Sequence, residues 1–133
     1  MQLKPVFLLV EDNLIDQLVI TQLLKKVLDV TETEVTITNN GMEALQWLSS
    51  HQDLDQLIIL LDIQMPVMNG FEFLNAYDKL GEELKKAIRI YVLSSTLDQE
   101  DIKKINENNY VTGFLNKPLP IEELKKTIHY LNT

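Results

Sequence analysis

The chain has 133 residues, with 12 Lys and Arg against 20 Asp and Glu, a formal net charge of −8; 45% apolar and 24% charged residues is ordinary globular composition, not that of a disordered segment. The negative balance opposes direct binding to DNA or RNA phosphates, and the absence of cysteine removes disulfides, thiolate metal sites and a cysteine nucleophile. The longest apolar runs are five residues, far short of the ~20 of a membrane helix, and no signal peptide is recognisable, so a cytoplasmic protein is expected.

In chain order, Val6 to Val10 is a continuous apolar run, the pattern of a strand buried on both faces of a parallel sheet. A helix follows, with Ile15, Leu18, Val19, Leu23 and Val27 on one face and Asp12 or Asn13 as its cap. Glu34 to Thr38 alternates polar and apolar and reads as an edge strand, and Asn39-Asn40-Gly41 caps a helix carrying Met42, Ala44, Leu45 and Leu48. Leu57 to Leu61 is a second fully apolar strand, followed by a helix from about Gly70 towards Ala87 with a break near Gly81. Ile88 to Leu93 is the fourth strand, Asp98 caps a helix with Ile102 and Ile105, and Val111 to Leu115 is a fifth strand that Gly113 interrupts. Ile121, Leu124, Ile128 and Leu131 recur at 3-4-3 spacing in a last helix, with Pro120 near its start and Lys125, Lys126 and His129 towards its end.

The sum is an α/β chain, (βα)5, which implies a doubly wound parallel sheet with right-handed crossovers. Two central strands, first and third, with the second at an edge, predict the flavodoxin-like order 2-1-3-4-5. Ligands in such a sheet bind beyond the carboxyl ends of the strands, where strand order reverses. There the sequence places Glu11-Asp12, Asp62, Ser94-Ser95-Thr96 and Asn116-Lys117-Pro118, whereas the edge strand is followed only by Thr38-Asn39-Asn40. Three carboxylates in one crevice repel unless a cation joins them, and an all-oxygen set suits Mg²⁺, with Mn²⁺ as a substitute. An Asp carboxylate can also accept a phosphoryl group, with Lys117 and Ser94 available as cation and hydrogen-bond donor.

Plainer roles exist for each residue. Asp12 could cap a helix, Lys117 could be a solvated turn residue, and Ser94 a satisfied hydroxyl. Trp47 reads as packing, and His51 and His129 have no zinc spacing. No P-loop, GxGxxG or GxSxG occurs.

At these residues the chain resembles the receiver domain of two-component response regulators. Leu8-Leu9-Val10-Glu11-Asp12-Asn13 is similar to its first strand and acidic pair, and Leu60-Leu61-Asp62-Ile63-Gln64-Met65-Pro66-Val67-Met68-Asn69-Gly70 to its phosphoacceptor segment. Val92-Leu93-Ser94-Ser95 and Asn116-Lys117-Pro118-Leu119 resemble its hydroxyl and lysine motifs, and the likeness runs from about Val6 to Leu131. The resemblance implies that Asp62 accepts a phosphoryl group from phosphohistidine on a sensor histidine kinase or histidine phosphotransfer protein. It also implies that Glu11, Asp12, Asp62 and the backbone carbonyl of Gln64 hold Mg²⁺. By the same resemblance Ser94 and Lys117 bind phosphoryl oxygens, and Phe114 is the aromatic switch residue. Gln64 and Thr96 fall where phosphoryl lifetime is tuned, and Lys117-Pro118 is expected to be cis.

Glu11 stands where Asp is more frequent, Ser94 where Thr is commoner, and Phe114 lacks a tyrosine hydroxyl. The expected output is a changed surface on the fourth helix, fifth strand and fifth helix, read by a downstream protein. Residues 1–133 are expected to be a single stand-alone receiver with no output domain, monomeric or dimerising on phosphorylation, and not an enzyme in the ordinary sense. Two alternatives are a degenerate receiver that only binds protein and a phosphohydrolase of the haloacid-dehalogenase type. Against the second, Gln64 stands where that family has its second Asp.

Overall fold

A computed structural model of the chain describes residues 6–54, 56–95, 98–120 and 122–126. Five parallel strands, β1 (Val6–Val10), β2 (Val35–Thr38), β3 (Leu57–Asp62), β4 (Ile88–Ser94) and β5 (Val111–Asn116), form one sheet in the order β2-β1-β3-β4-β5. Between them lie α1 (Leu14–Leu28), α2 (Gly41–Ser50), α3 (Gly70–Tyr77), α4 (Glu82–Lys86) and α5 (Gln99–Glu107), and residues 122–126 are helical. This is the flavodoxin-like topology that the apolar runs predict. The expected break near Gly81 falls between α3 and α4, with Gly81 as the N-cap residue of α4. Thr96, Ile121, Ile128, His129 and Leu131 lie outside the described residues.

Side chains along a strand alternate between faces, so each apolar run serves two cores. Phe7 and Leu9 of β1, Ile58 and Leu60 of β3, and Tyr91 and Leu93 of β4 pack with Ile20 and Leu24 of α1 and with Leu124. Leu8 and Val10, Leu57, Ile59 and Leu61, and Ile88 and Ile90 meet α2, α3 and α4 on the opposite face. All six residues of β3 are buried. Each such Leu or Ile stabilises the fold by about 1.5–3 kcal/mol relative to exposure.

The interruption at Gly113 has a structural counterpart. Ile90 pairs with Val111 but Tyr91 pairs with Gly113, so Thr112 is an extra residue on β5, a bulge. The bulge reverses the alternation: Val111 and Phe114 face the small core of Ile63, Val92 and Ile105, while Leu115 joins the α1 core. A Cβ on Gly113 would lie 3.3 Å from the Tyr91 ring, so the missing side chain leaves room for that tyrosine.

One sequence expectation is corrected. The buried face of α1 carries Gln17, Ile20 and Leu24, whereas Ile15, Leu18 and Val19 are exposed, as is Leu14 at 77%. The misplacement has a cause in Gln17: its amide donates to the Glu11 carbonyl at 2.5 Å and to Asn39 Oδ1 at 2.9 Å, pegging α1 to the ends of β1 and β2. A buried polar group is held by satisfied hydrogen bonds, so a hydrophobicity count places it on the wrong side. Ile102 is likewise exposed, and only Ile105 of α5 enters the core.

Candidate functional site

The strands deliver their terminal residues to one crevice above the sheet. Asn13, not Asp12, caps α1 by accepting from the Asp16 amide at 2.9 Å, which leaves the exposed Asp12 carboxylate free of capping. Glu11 is 1% exposed and Asp62 is 7% exposed. Carboxylate oxygens of Glu11, Asp12 and Asp62 lie within 4.8 Å of one another. Ser94 is buried at the end of β4, and its carbonyl accepts from the Lys117 amide at 3.0 Å. The Lys117-Pro118 peptide is cis.

Lys117 reaches back across the sheet. Its ammonium hydrogen-bonds Glu11 and, at 2.9 Å, Asp16 Oδ2, and stands 3.6 Å from Asp62 Oδ2. Burial lowers the lysine pKa, but Asp16, Glu11 and the charge of Asp62 outweigh burial and hold it above its ordinary value. Glu11 moves the other way for an acid: burial pushes it up to about 7, with the neighbouring Asp62 adding and Lys117 opposing. A buried acid beside two more carboxylates, balanced by one shared ammonium, is a donor set that fits a hard, oxygen-preferring dication such as Mg²⁺.

The loop after β3 shapes the other wall. The Gln64 amide donates to Asp62 Oδ1 at 3.2 Å, fixing the carboxylate, while the Gln64 side chain is exposed. Met68 N donates to Pro66 O at 2.7 Å around Val67, whose φ of 67° makes this a tight γ-turn. Gly41 N then donates to the Met68 carbonyl at 3.1 Å, tying the loop to α2. Asp12, Gln64, Met65, Asn69, Phe71 and Asp101 line the open cleft that results.

Gly70 starts α3 against the backbone of Asp62 and Ile63. A Cβ there would meet Ile63 Cα at 2.8 Å and the Asp62 carbonyl at 2.9 Å, neither of which is a flexible side chain. Gly70→Ala is therefore expected to lower the unfolding free energy by about 1–3 kcal/mol, read from urea denaturation. An unchanged midpoint would mean that the loop has slack which these distances deny.

The structure thus brings Glu11, Asp12, Asp62, Ser94 and Lys117 together. Phe114 lies one layer away, half-buried against Ile63, Val92 and Ile105. The sequence reading missed Asp16 and Gln17. Asp16 was detectable as an acid one helical turn beyond Asp12, but its pairing with a lysine 101 positions later was not.

The response regulator receiver domain family matches residues 7–129, and the chain belongs to it. It is 31% identical to the probable methanogenesis regulatory protein FilR2 of Methanothrix harundinacea, over 92% of this chain and 78% of that protein. It is 33% identical to the two-component response regulator ARR17 of Arabidopsis thaliana, over 94% and 84% of the respective lengths. A CpxR homolog of Haemophilus influenzae is 35% identical over 68% of this chain, which spans only 35% of that protein. Among solved structures, a receiver protein of Dyadobacter fermentans superposes with a TM-score of 0.82 at 34% identity, covering 96% of this chain and 98% of that one. The receiver domain of the sensor histidine kinase PA1611 of Pseudomonas aeruginosa, solved with magnesium coordinated in its active site cleft, gives 0.75 at 26% identity and covers 96% and 97%. No helix among the described residues is long and apolar enough to cross a membrane.

Proposed function

We propose that the chain is a phosphoaccepting signalling switch, in which Asp62 takes a phosphoryl group from phosphohistidine on a sensor histidine kinase or histidine phosphotransfer protein. The observation that carries this reading is the meeting of three carboxylates within 4.8 Å beside a lysine ammonium 3.6 Å from Asp62. An Asp62 oxygen attacks phosphorus, the P–N bond breaks, and its electron pair returns to the imidazole, which leaves. Lys117 supplies positive charge where the transferred group gathers negative charge, and the Ser94 hydroxyl donates to a phosphoryl oxygen. Glu11, Asp12, Asp62 and the Gln64 carbonyl would hold Mg²⁺, which when bound offsets the charge on carboxylates and phosphoryl oxygens; the magnesium in the cleft of the PA1611 receiver supports the choice of ion.

Output follows from packing. Phe114 shares its small core with Ile105 of α5, so drawing Ser94 towards a phosphoryl group and turning Phe114 inward would shift α5 and β5, the surface offered to a downstream protein. Leu14, Ile15 and Leu18 stand exposed on α1, whose first turn also carries Asp16 at the site, an apolar face suited to the protein that delivers the phosphoryl group.

The test is intact-protein mass after incubation with Mg²⁺ and a small-molecule phosphodonor. One labile phosphoryl adduct is expected. A folded, Mg²⁺-binding protein without an adduct would be a phosphorylation-independent binding module, and donor consumed without an adduct would indicate a hydrolase.

A further inference from the structure

An ammonium has three N–H bonds to give, and the geometry around Lys117 shows where two of them go. Glu11 and Asp16 accept hydrogen bonds from it, whereas Asp62 at 3.6 Å is beyond hydrogen-bond reach and interacts by charge alone. Asp16 differs from the other two acids. It belongs to α1, outside the cluster of Glu11, Asp12 and Asp62, and its side chain is 38% exposed while that of Lys117 is 14% exposed. Its place is fixed by the Asn13 cap on its own amide and by the Gln17 peg one residue later. Asp16 is therefore a firmly mounted counter-anion for the lysine that stands outside the cluster of Glu11, Asp12 and Asp62.

We propose that Asp16 is a positioning residue that draws Lys117 away from Asp62, restraining the lysine from both the incoming phosphoryl group and the cation site. This rests on the phosphoacceptor reading and adds to it a residue that regulates the same site. Moving the ammonium closer to a phosphoryl oxygen on Asp62 is easier once its bond to Asp16 loosens, and leaving room for a dication is easier while that bond holds. The two consequences have opposite signs. Without Asp16, phosphoryl capture at saturating Mg²⁺ becomes faster, while Mg²⁺ itself binds more weakly because the ammonium settles on Glu11 and Asp62.

The experiment compares wild type, Asp16→Asn, Lys117→Met and the double variant. Mg²⁺ binding is followed by calorimetry on all four, and phosphoryl uptake from acetyl phosphate by intact mass on the first two. In uptake an Asp62 oxygen bonds phosphorus, the P–O bond to the acyl oxygen breaks, and acetate leaves with the electron pair. Asp16→Asn is expected to raise the uptake rate about two- to fivefold and to weaken Mg²⁺ binding by a similar factor, the range of a partly exposed ion pair. In the Lys117→Met background the loss of Mg²⁺ affinity is expected to shrink at least twofold, the coupling a double-mutant cycle measures. A merely structural role would lower uptake and Mg²⁺ affinity together, and that result overturns the proposal, as would effects of the two substitutions on Mg²⁺ that simply multiply. Should wild type take up no phosphoryl group, the phosphoacceptor reading falls, and the Mg²⁺ cycle alone still decides whether Asp16 restrains Lys117.

Discussion

Asp62→Asn is expected to eliminate phosphoryl uptake altogether while leaving the domain folded. An amide has no anionic oxygen with which to attack phosphorus, and the acids beside it are differently placed, Glu11 being 1% exposed and bonded to Lys117 and Asp12 being exposed. The fold has little to lose. Asn keeps the shape and an Oδ1 that can accept the Gln64 amide, now at 3.2 Å, and Lys117 retains Glu11 and Asp16. Removing one of two adjacent buried anions also relieves the repulsion that helps to raise Glu11. The melting temperature of the metal-free variant should equal or exceed that of wild type; about 1 kcal/mol is worth some 3–5 °C in a domain of this size. Intact mass and a thermal melt on the same preparations decide it, and an unaltered adduct in the variant would move the phosphoacceptor elsewhere.

The second large effect is on cation affinity. With Glu11 pushed up to about 7, a dication must displace a proton to use that carboxylate below neutrality. Mg²⁺ affinity should fall about 25-fold from pH 7.5 to 5.5, approaching tenfold per unit at the acid end, and Glu11→Gln should flatten the profile. The metal-free protein has the opposite pH preference. An acid whose pKa is raised on folding binds more protons folded than unfolded, so this group's contribution to stability is full below about 4.5 and is lost as pH rises through about 7, on the order of 3 kcal/mol in all. Added Mg²⁺ should restore stability most where its absence is felt most, above neutrality. Denaturation midpoints across that range, with and without Mg²⁺, read both trends; a metal-free protein that gains stability between pH 5 and 7 would contradict the burial of Glu11 as a protonatable acid.

How legible the molecule was depended on whether a residue's partner lies nearby in sequence or across the fold. β1 and β3 were plain because strands buried on both faces have no polar alternation, and the acids at or just past their carboxyl ends fell at the switch point by topology alone. The caps Asn40 and Asp98 were legible because each bonds an amide three residues on. The face of α1 was not, since its apolar residues divide between a core and an exposed surface and hydrophobicity does not distinguish the two. Nor was the bulge at Thr112 visible beyond a weak strand signal at Gly113, although it decides which side of the sheet receives Phe114. The Asp16 to Lys117 pair required three dimensions.

The bulge has another consequence, for how copies of the domain can meet. A sheet grows sideways only if an edge strand offers a straight row of unpaired amides and carbonyls. At one margin β2 supplies only four residues, Val35–Thr38. At the other, Thr112 breaks the repeat of β5 after its first residue. Neither margin is a good template for strand-on-strand stacking, so crowded molecules are steered away from fibril-like growth and towards contacts made by helices and loops.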